Sequence, residues 1–194
     1  MYKPENLPPA EQLVMTMNRI YEAGMTTSTG GNLSILDENG DIWITPSGID
    51  KGSLTVKDIC QVTRSGTVYG RHQASVELPF HAEIYRRSPD VRAVLHAHPP
   101  ALVAFSAVRK LPDTRLTAGI YKTLGNITMA SYAVPGSQDL GNRIAVEFDK
   151  NYRTVIMENH GVVIGDKSQS EAFIKLETLE NAAKILINAK KTGS

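Results

Sequence analysis

The sequence predicts an α/β domain in which a mixed, largely antiparallel sheet is covered by helices. Two observations carry this. Apolar residues recur at helical spacing in several separate segments, and short apolar or alternating runs of strand length lie between them. Some of those runs follow one another directly through turns and others are separated by a helix, the connectivity of a mixed sheet with helical cover. The 194 residues, 41% hydrophobic and 21% charged, suffice for a substantial core and read as one domain over 1–194.

The elements follow in chain order. Over 10–23, Leu13, Val14, Met17, Ile20 and Tyr21 recur at helical spacing, and Gly24 is placed to end the helix. NLSIL and DIWIT read as strands joined by the turn-forming Asp37-Glu38-Asn39-Gly40. LPFHAEIYRR is a short amphipathic helix whose Pro79 is tolerated because the first turn needs no intrahelical N–H donor. VRAVLHAH is a strand stopped by Pro99 and Pro100. ALVAFSAVRK reads as a helix, ITMASYAV as a strand and SQDLGNRIAVEFD as another helix. TVIMENHGVVIG reads as two strands meeting at a polar corner, Glu158 to Gly161. The last helix opens at Ser168 with Glu171 three residues on, a capping-box pattern, and runs through Leu176, Leu179, Ala183 and Leu186.

Composition narrows the function. Twenty-one Lys plus Arg against twenty Asp plus Glu give a net charge of +1, so no global basic field draws in nucleic acid or an anionic membrane. A small anionic substrate needs only local positive character. The single cysteine, Cys60, excludes an internal disulfide and is expected in the core. The opening MYKPENLPPAEQ has no apolar signal core, and no run of apolar residues is long enough for a membrane span, so a cytoplasmic location is expected.

Chemistry concentrates around the histidines. A strand turns residues i and i+2 to the same face, so His96 and His98 point the same way, with Ala97 opposed. That geometry offers two ligands to one metal; one buried and one solvated histidine would give the same pattern. His160 occupies the strand-to-strand corner between Asn159 and Gly161. Three neutral imidazoles with a fourth position open form the ligand set of a catalytic zinc site, whereas a structural site would recruit cysteines. His72, in the polar stretch GRHQAS, is expected to be solvated. Glu77 at a helix entrance either complements the helix dipole or stands beside a metal as general base. TSTGGNLSIL and ITPSGIDKG have the glycine, hydroxyl and amide content that lets backbone N–H groups surround an anion, and equally that of ordinary turns.

Taken in order, GGNLS, ITPSG, SVELPFHAEIY, AVLHAHP and ENHG resemble the class II aldolase/adducin family, in particular its L-fuculose-1-phosphate aldolase branch, over nearly the whole chain. The resemblance implies a three-layer α/β/α fold on a mostly antiparallel sheet and a fourfold homotetramer with active sites near subunit interfaces. It implies zinc ligation by His96, His98 and His160, and Glu77 as catalytic acid/base that also ligates zinc when no substrate is present. Gly31, Asn32, Ser47, Gly48 and Ser75 fall at the family's phosphate-binding positions, and His81 at a supporting one. The implied reaction is zinc-dependent cleavage of a ketose 1-phosphate to dihydroxyacetone phosphate and an aldehyde such as L-lactaldehyde. The same scaffold implies, as alternatives, a sugar-phosphate epimerase, dehydratase or decarboxylase, or a non-catalytic adducin-like module; Glu77 argues against the epimerase, where aspartate is usual, and the retained histidines against the module.

Three departures are informative. Val76 stands where phosphate-using relatives have a second serine before the glutamate. Thr117 aligns with a tyrosine contributed to the neighbouring subunit's site, with Tyr121 only nearby, and the chain ends at Ser194 with no tail to supply a second tyrosine. An intersubunit contact is expected over 101–125, using Leu102, Val103 and Phe105, with Tyr121 as its polar member.

Overall fold

The computed structural model describes residues 4–193. Eight strands form a single sheet: β1 (Asn32–Leu36), β2 (Ile42–Ile44), β3 (Cys60–Val62), β4 (Val68–Tyr69), β5 (Ala93–Ala97), β6 (Thr128–Ala130), β7 (Thr154–Met157) and β8 (Gly161–Asp166). Their spatial order is β4-β3-β2-β1-β5-β8-β7-β6, and every pairing is antiparallel except β6 with β7. The six α-helices are α1 (Pro9–Glu22), α2 (Leu78–Arg87), α3 (Pro100–Ala107), α4 (Ala118–Leu124), α5 (Gln138–Asp149) and α6 (Gln169–Lys191).

Period-2 alternation in the central strands divides the core into two layers. Leu33 and Ile35 of β1, Ala93, Leu95 and Ala97 of β5, and Val162 and Ile164 of β8 face α1, α3, α4 and α6. Val94 and Val163 face the other way, onto α2 and α5, where Phe80, Ile84, Ile144 and Phe148 close the second layer. Helices thus cover both faces of the sheet, as the resemblance implies. Because β5 is buried on both faces it reads as a nearly continuous apolar run, which makes its one polar member, His96, conspicuous.

Most elements fall where the periodicity puts them, α2 and the 154–166 hairpin among them. The strand read over 127–134 shortens to β6, because Ala130 O receives the Glu158 N–H and the next two residues turn aside to Arg143, which donates to Ser131 Oγ and Tyr132 O. The helix read over 101–110 ends at Ala107: Arg109 takes a positive φ of 55°, and Lys110 N–H returns to Phe105 O. Strands β3 and β4 and helix α4 are short and carry no strong period of their own. Cys60 is buried as expected, but His72 is only partly exposed, its Nε2 lying 2.9 Å from Asp58 Oδ1. Leu102 is fully buried in the core beneath α6 and so is not available to an intersubunit contact; Tyr121 is exposed.

The turn after β5 is fixed from the far side of the sheet. Buried Glu180 of α6 accepts from Ala101 and Leu102 N–H at 3.2 and 3.1 Å, capping α3 immediately after His98-Pro99. No helix among the described residues is long and apolar enough to cross a membrane.

Candidate metal centre and acid/base site

The alternation that buries Val94 also turns His96 onto the α2 face, where Phe80 meets its ring edge-on at a centroid distance of 5.8 Å. His98 follows just beyond the end of β5, and His160 lies in the turn between β7 and β8. Their rings converge, with centroid separations of 4.6 Å for 96/98, 4.9 Å for 96/160 and 5.2 Å for 98/160. One ligand atom from each lies within 4.8 Å of the others. Glycine makes this approach possible. A Cβ at Gly161 would overlap Ala97 O and reach 2.7 Å from His98 Cδ2, and one at Gly31 would stand 2.8 Å from His96 O.

His96 Nδ1 is hydrogen-bonded to the Val162 carbonyl at 3.0 Å, which makes it the protonated nitrogen and leaves a lone pair on Nε2. That Nε2 lies 2.9 Å from His98 Nε2 and 3.2 Å from Glu77 Oε2, while His160 Nε2 lies 3.7 Å from Glu77 Oε1. Glu77 Oε1 and His160 Nδ1 are buried with no hydrogen-bond partner among the described residues. A native site leaves such groups unpaired, at about 1–3 kcal/mol each, where something else completes them. Clustered imidazoles beside a carboxylate fit a divalent cation in donor type and number.

Burial, and then His160, hold the His96 imidazole at about 3; burial, and then His96 and His160, do the same for His98; burial also lowers His160. The ligand nitrogens are therefore not protonated at neutral pH, as metal binding requires. In the unfolded chain they titrate near 6.5, so below that pH the unfolded state takes up protons that the folded state refuses. The stability these rings give the metal-free protein is present above 6.5 and is lost as pH falls toward 3. Thermal melts of metal-free protein should show a lower midpoint at about pH 5 than at about pH 7.5, a window above ordinary carboxylate titration. Equal midpoints would contradict the burial argument.

Glu77 caps the start of α2, and its orientation is set by Asn32, whose Nδ2 donates to Oε2 at 2.7 Å. Asn32 and Glu77 are both buried. Ser75 Oγ accepts the Glu77 N–H at 3.2 Å. The glycine-rich turns are tied together: Lys51 N–H donates to Ser28 O, Ser47 N–H to Gln73 O, and Pro46 bridges Ala74. The fold thus places Glu77, the three histidines, Asn32, Gly31 and Ser75 together, whereas Ser47 and Gly48 connect to them through the 73–77 segment. Val76 is exposed, so the missing hydroxyl is a surface vacancy that a serine could fill without disturbing the core.

Lys51 was not foreseen at the site, and of the polar groups behind Asn32 only His81 was, as a supporting residue. Lys51 is almost fully buried, and its Nζ donates to Pro46 O at 2.8 Å and Ile49 O at 3.2 Å, folding the ITPSG turn around an ammonium whose pKa burial lowers. Behind Asn32 stands a chain of buried polar groups, His81, Ser34 and Tyr85. Glu77, His81 and Tyr85 recur every four residues, a helical stripe that could have disclosed this line of groups; Lys51 has no comparable signal.

Comparison with known proteins decides the family. The family model for the class II aldolase and adducin N-terminal domain matches residues 11–187. The chain belongs to the class II aldolase/adducin family. Members it resembles include a 3-oxo-tetronate 4-phosphate decarboxylase of Pectobacterium atrosepticum, 31% identical over 86% of this chain and 78% of the relative. An L-fuculose phosphate aldolase of Methanococcus maripaludis is 32% identical over 86% and 89%. Among solved structures, an L-fuculose 1-phosphate aldolase superposes with a TM-score of 0.83 at 30% identity, over 95% of this chain and 87% of that one. The three-layer class II aldolase fold is therefore the fold of this chain, and its histidine cluster is a metal-competent site.

Proposed function

We propose that this protein is a zinc-dependent lyase of phosphorylated sugars that breaks a carbon–carbon bond beside a carbonyl, with aldol cleavage of an L-fuculose 1-phosphate-like ketose as the leading reaction. The observation that carries this is the placement of the Glu77 carboxylate against three neutral imidazoles, with Oε1 left unpaired toward them. Cleavage leaves an enediolate, and zinc, when bound by His96, His98 and His160, supplies a Lewis acid for the charge developing on the substrate oxygens. Glu77 moves the proton on the carbon of the dihydroxyacetone phosphate fragment. Gly31, Ser47, Gly48 and Ser75 hold the phosphate and orient the fragment. In this reading Asn32 contributes more to Glu77 than to phosphate, because both ends of its side-chain amide are already engaged.

A second reading is decarboxylation of a 3-oxo-tetronate 4-phosphate, which leaves an enolate at the same carbonyl. A specific observation favours it. The position of the family's intersubunit tyrosine is Thr117, an aliphatic alcohol far less acidic than a phenol and therefore a poor acid for the aldehyde oxygen, and its Oγ1 caps α4 by accepting the Ile120 N–H. Incubating zinc-loaded protein with each substrate separates the readings: dihydroxyacetone phosphate with L-lactaldehyde marks the aldolase, carbon dioxide the decarboxylase, and neither product refutes both.

Val76→Ser should lower KM for the phosphorylated substrate, because it restores a hydroxyl beside Ser75 at an exposed position. An unchanged or higher KM places the anion elsewhere. We also infer a cyclic homotetramer with Tyr121, Val103 and Phe105 at the contact, which light scattering should report as a four-chain mass. A fully active monomer would rule out a shared site.

A further inference from the structure

A line of buried hydrogen bonds runs from Glu77 into the protein interior. Asn32 Nδ2 donates to Glu77 Oε2, and Asn32 Oδ1 faces His81 Nε2 at 2.5 Å. His81 Nδ1 lies 2.7 Å from Ser34 Oγ, and Ser34 Oγ lies 2.7 Å from the Tyr85 hydroxyl. His81 and Ser34 are fully buried, and Asn32 and Tyr85 nearly so. The strand alternation that turns His96 toward α2 also turns Asn32 and Ser34 there, and the four-residue stripe of α2 supplies the other members.

With Glu77 ionised and the His81 ring neutral, only one arrangement of protons satisfies every member. The amide must present nitrogen to the carboxylate, so its oxygen faces His81, and His81 must carry its proton on Nε2. Nδ1 then accepts, Ser34 donates to it, and the Tyr85 hydroxyl donates to Ser34. Complete burial keeps the His81 ring neutral. Phe80 stacks on it at 4.5 Å and 17°, which fixes the ring plane.

We propose that His81 is a positioning residue: held as the Nε2–H tautomer by Ser34, it locks the Asn32 amide so that Glu77 Oε2 is held beside His96 and Oε1 is turned toward His160. The proposal rests on the reading of Glu77 as the acid/base group. His81 hydrogen-bonds to Asn32 and Ser34 and to none of the three clustered histidines, so Asn32 is its hydrogen-bonded link to Glu77.

The test begins on the unaltered protein, zinc-loaded and labelled with 15N-histidine, by long-range 1H–15N correlation. A single Nε2–H tautomer with unprotonated Nδ1 is expected for His81, and an Nδ1–H tautomer overturns the proposal whatever the reaction. Two variants then divide positioning from packing. His81→Gln keeps an N–H donor for Asn32, whereas His81→Leu keeps apolar volume and loses the donor. His81→Leu should lower kcat about ten- to a hundredfold, the scale for losing a partner that orients a site residue, with KM and zinc content unchanged. His81→Gln should recover most of that loss. Equal kcat in the two variants, or a defect confined to melting temperature, assigns His81 to packing and overturns the proposal. A correct tautomer in a protein whose Glu77→Gln variant still exchanges protons normally would instead refute the acid/base reading. If His81→Leu does not fold, the tautomer and the His81→Gln rate still decide.

Discussion

Glu77→Gln is expected to suppress proton exchange on dihydroxyacetone phosphate by at least about a hundredfold, the ordinary scale for losing a positioned general base, while leaving the fold and most of any bound zinc in place. The substitution is nearly isosteric. Glutamine can still present an oxygen to Asn32 Nδ2, and the Ser75 contact is to the Glu77 backbone N–H, so both anchors survive. What changes is Oε1, the oxygen that faces His160, which becomes an amide nitrogen with no basic lone pair. The three imidazoles remain, so metal retention and lost exchange are expected together. Exchange is followed by NMR in deuterated buffer, with zinc measured on the same sample. Near-normal exchange in a zinc-loaded variant would remove Glu77 from the acid/base role and leave it a buried carboxylate held by Asn32 at the start of α2.

The parts of this site that were legible in the sequence are those in which one local period fixes direction. Histidines 96 and 98 share a face because a strand repeats every two residues, and Glu77 opens α2 because an amphipathic run begins at Leu78 with Pro79 in its first turn. His160 was placed by a turn between two apolar strands, a weaker inference that the ring separations of 4.9 and 5.2 Å support. The buried line behind Glu77 was legible only in half. The 77/81/85 stripe lies on one helix, but Asn32 and Ser34 join it through strand register, and sequence separation of more than forty residues hides that pairing. Lys51 was illegible, because its burial depends on carbonyls turned inward by the loop it folds. The overlong readings of 101–110 and 127–134 have one cause. Apolar periodicity reports what side chains favour, whereas Arg109 with its positive φ and Arg143 with its contacts to 131 and 132 decide where the backbone turns.

Removing one histidine should have the largest effect on the metal. Purified protein is expected to hold about one zinc per chain, and His96→Ala or His160→Ala to lose most of it, because each leaves two imidazoles where a catalytic zinc site has three protein ligands. The two variants differ in what else they disturb. His96 is completely buried, hydrogen-bonded to Val162 and packed edge-on against Phe80, so alanine opens a cavity and frees the carbonyl; a drop in melting temperature accompanies the lost metal. His160 lies in a turn, is partly exposed, and has no hydrogen-bond partner at Nδ1 among the described residues, so its removal should cost metal with little effect on the apo melt. His160→Ala is therefore the cleaner test. His72→Ala is the control: that ring pairs with Asp58 on β3's side of the sheet and plays no part in the cluster, so zinc content should not change. Stoichiometric zinc in both His96→Ala and His160→Ala would overturn the three-histidine assignment, and zinc lost only in His72→Ala would move the metal to the other end of the sheet.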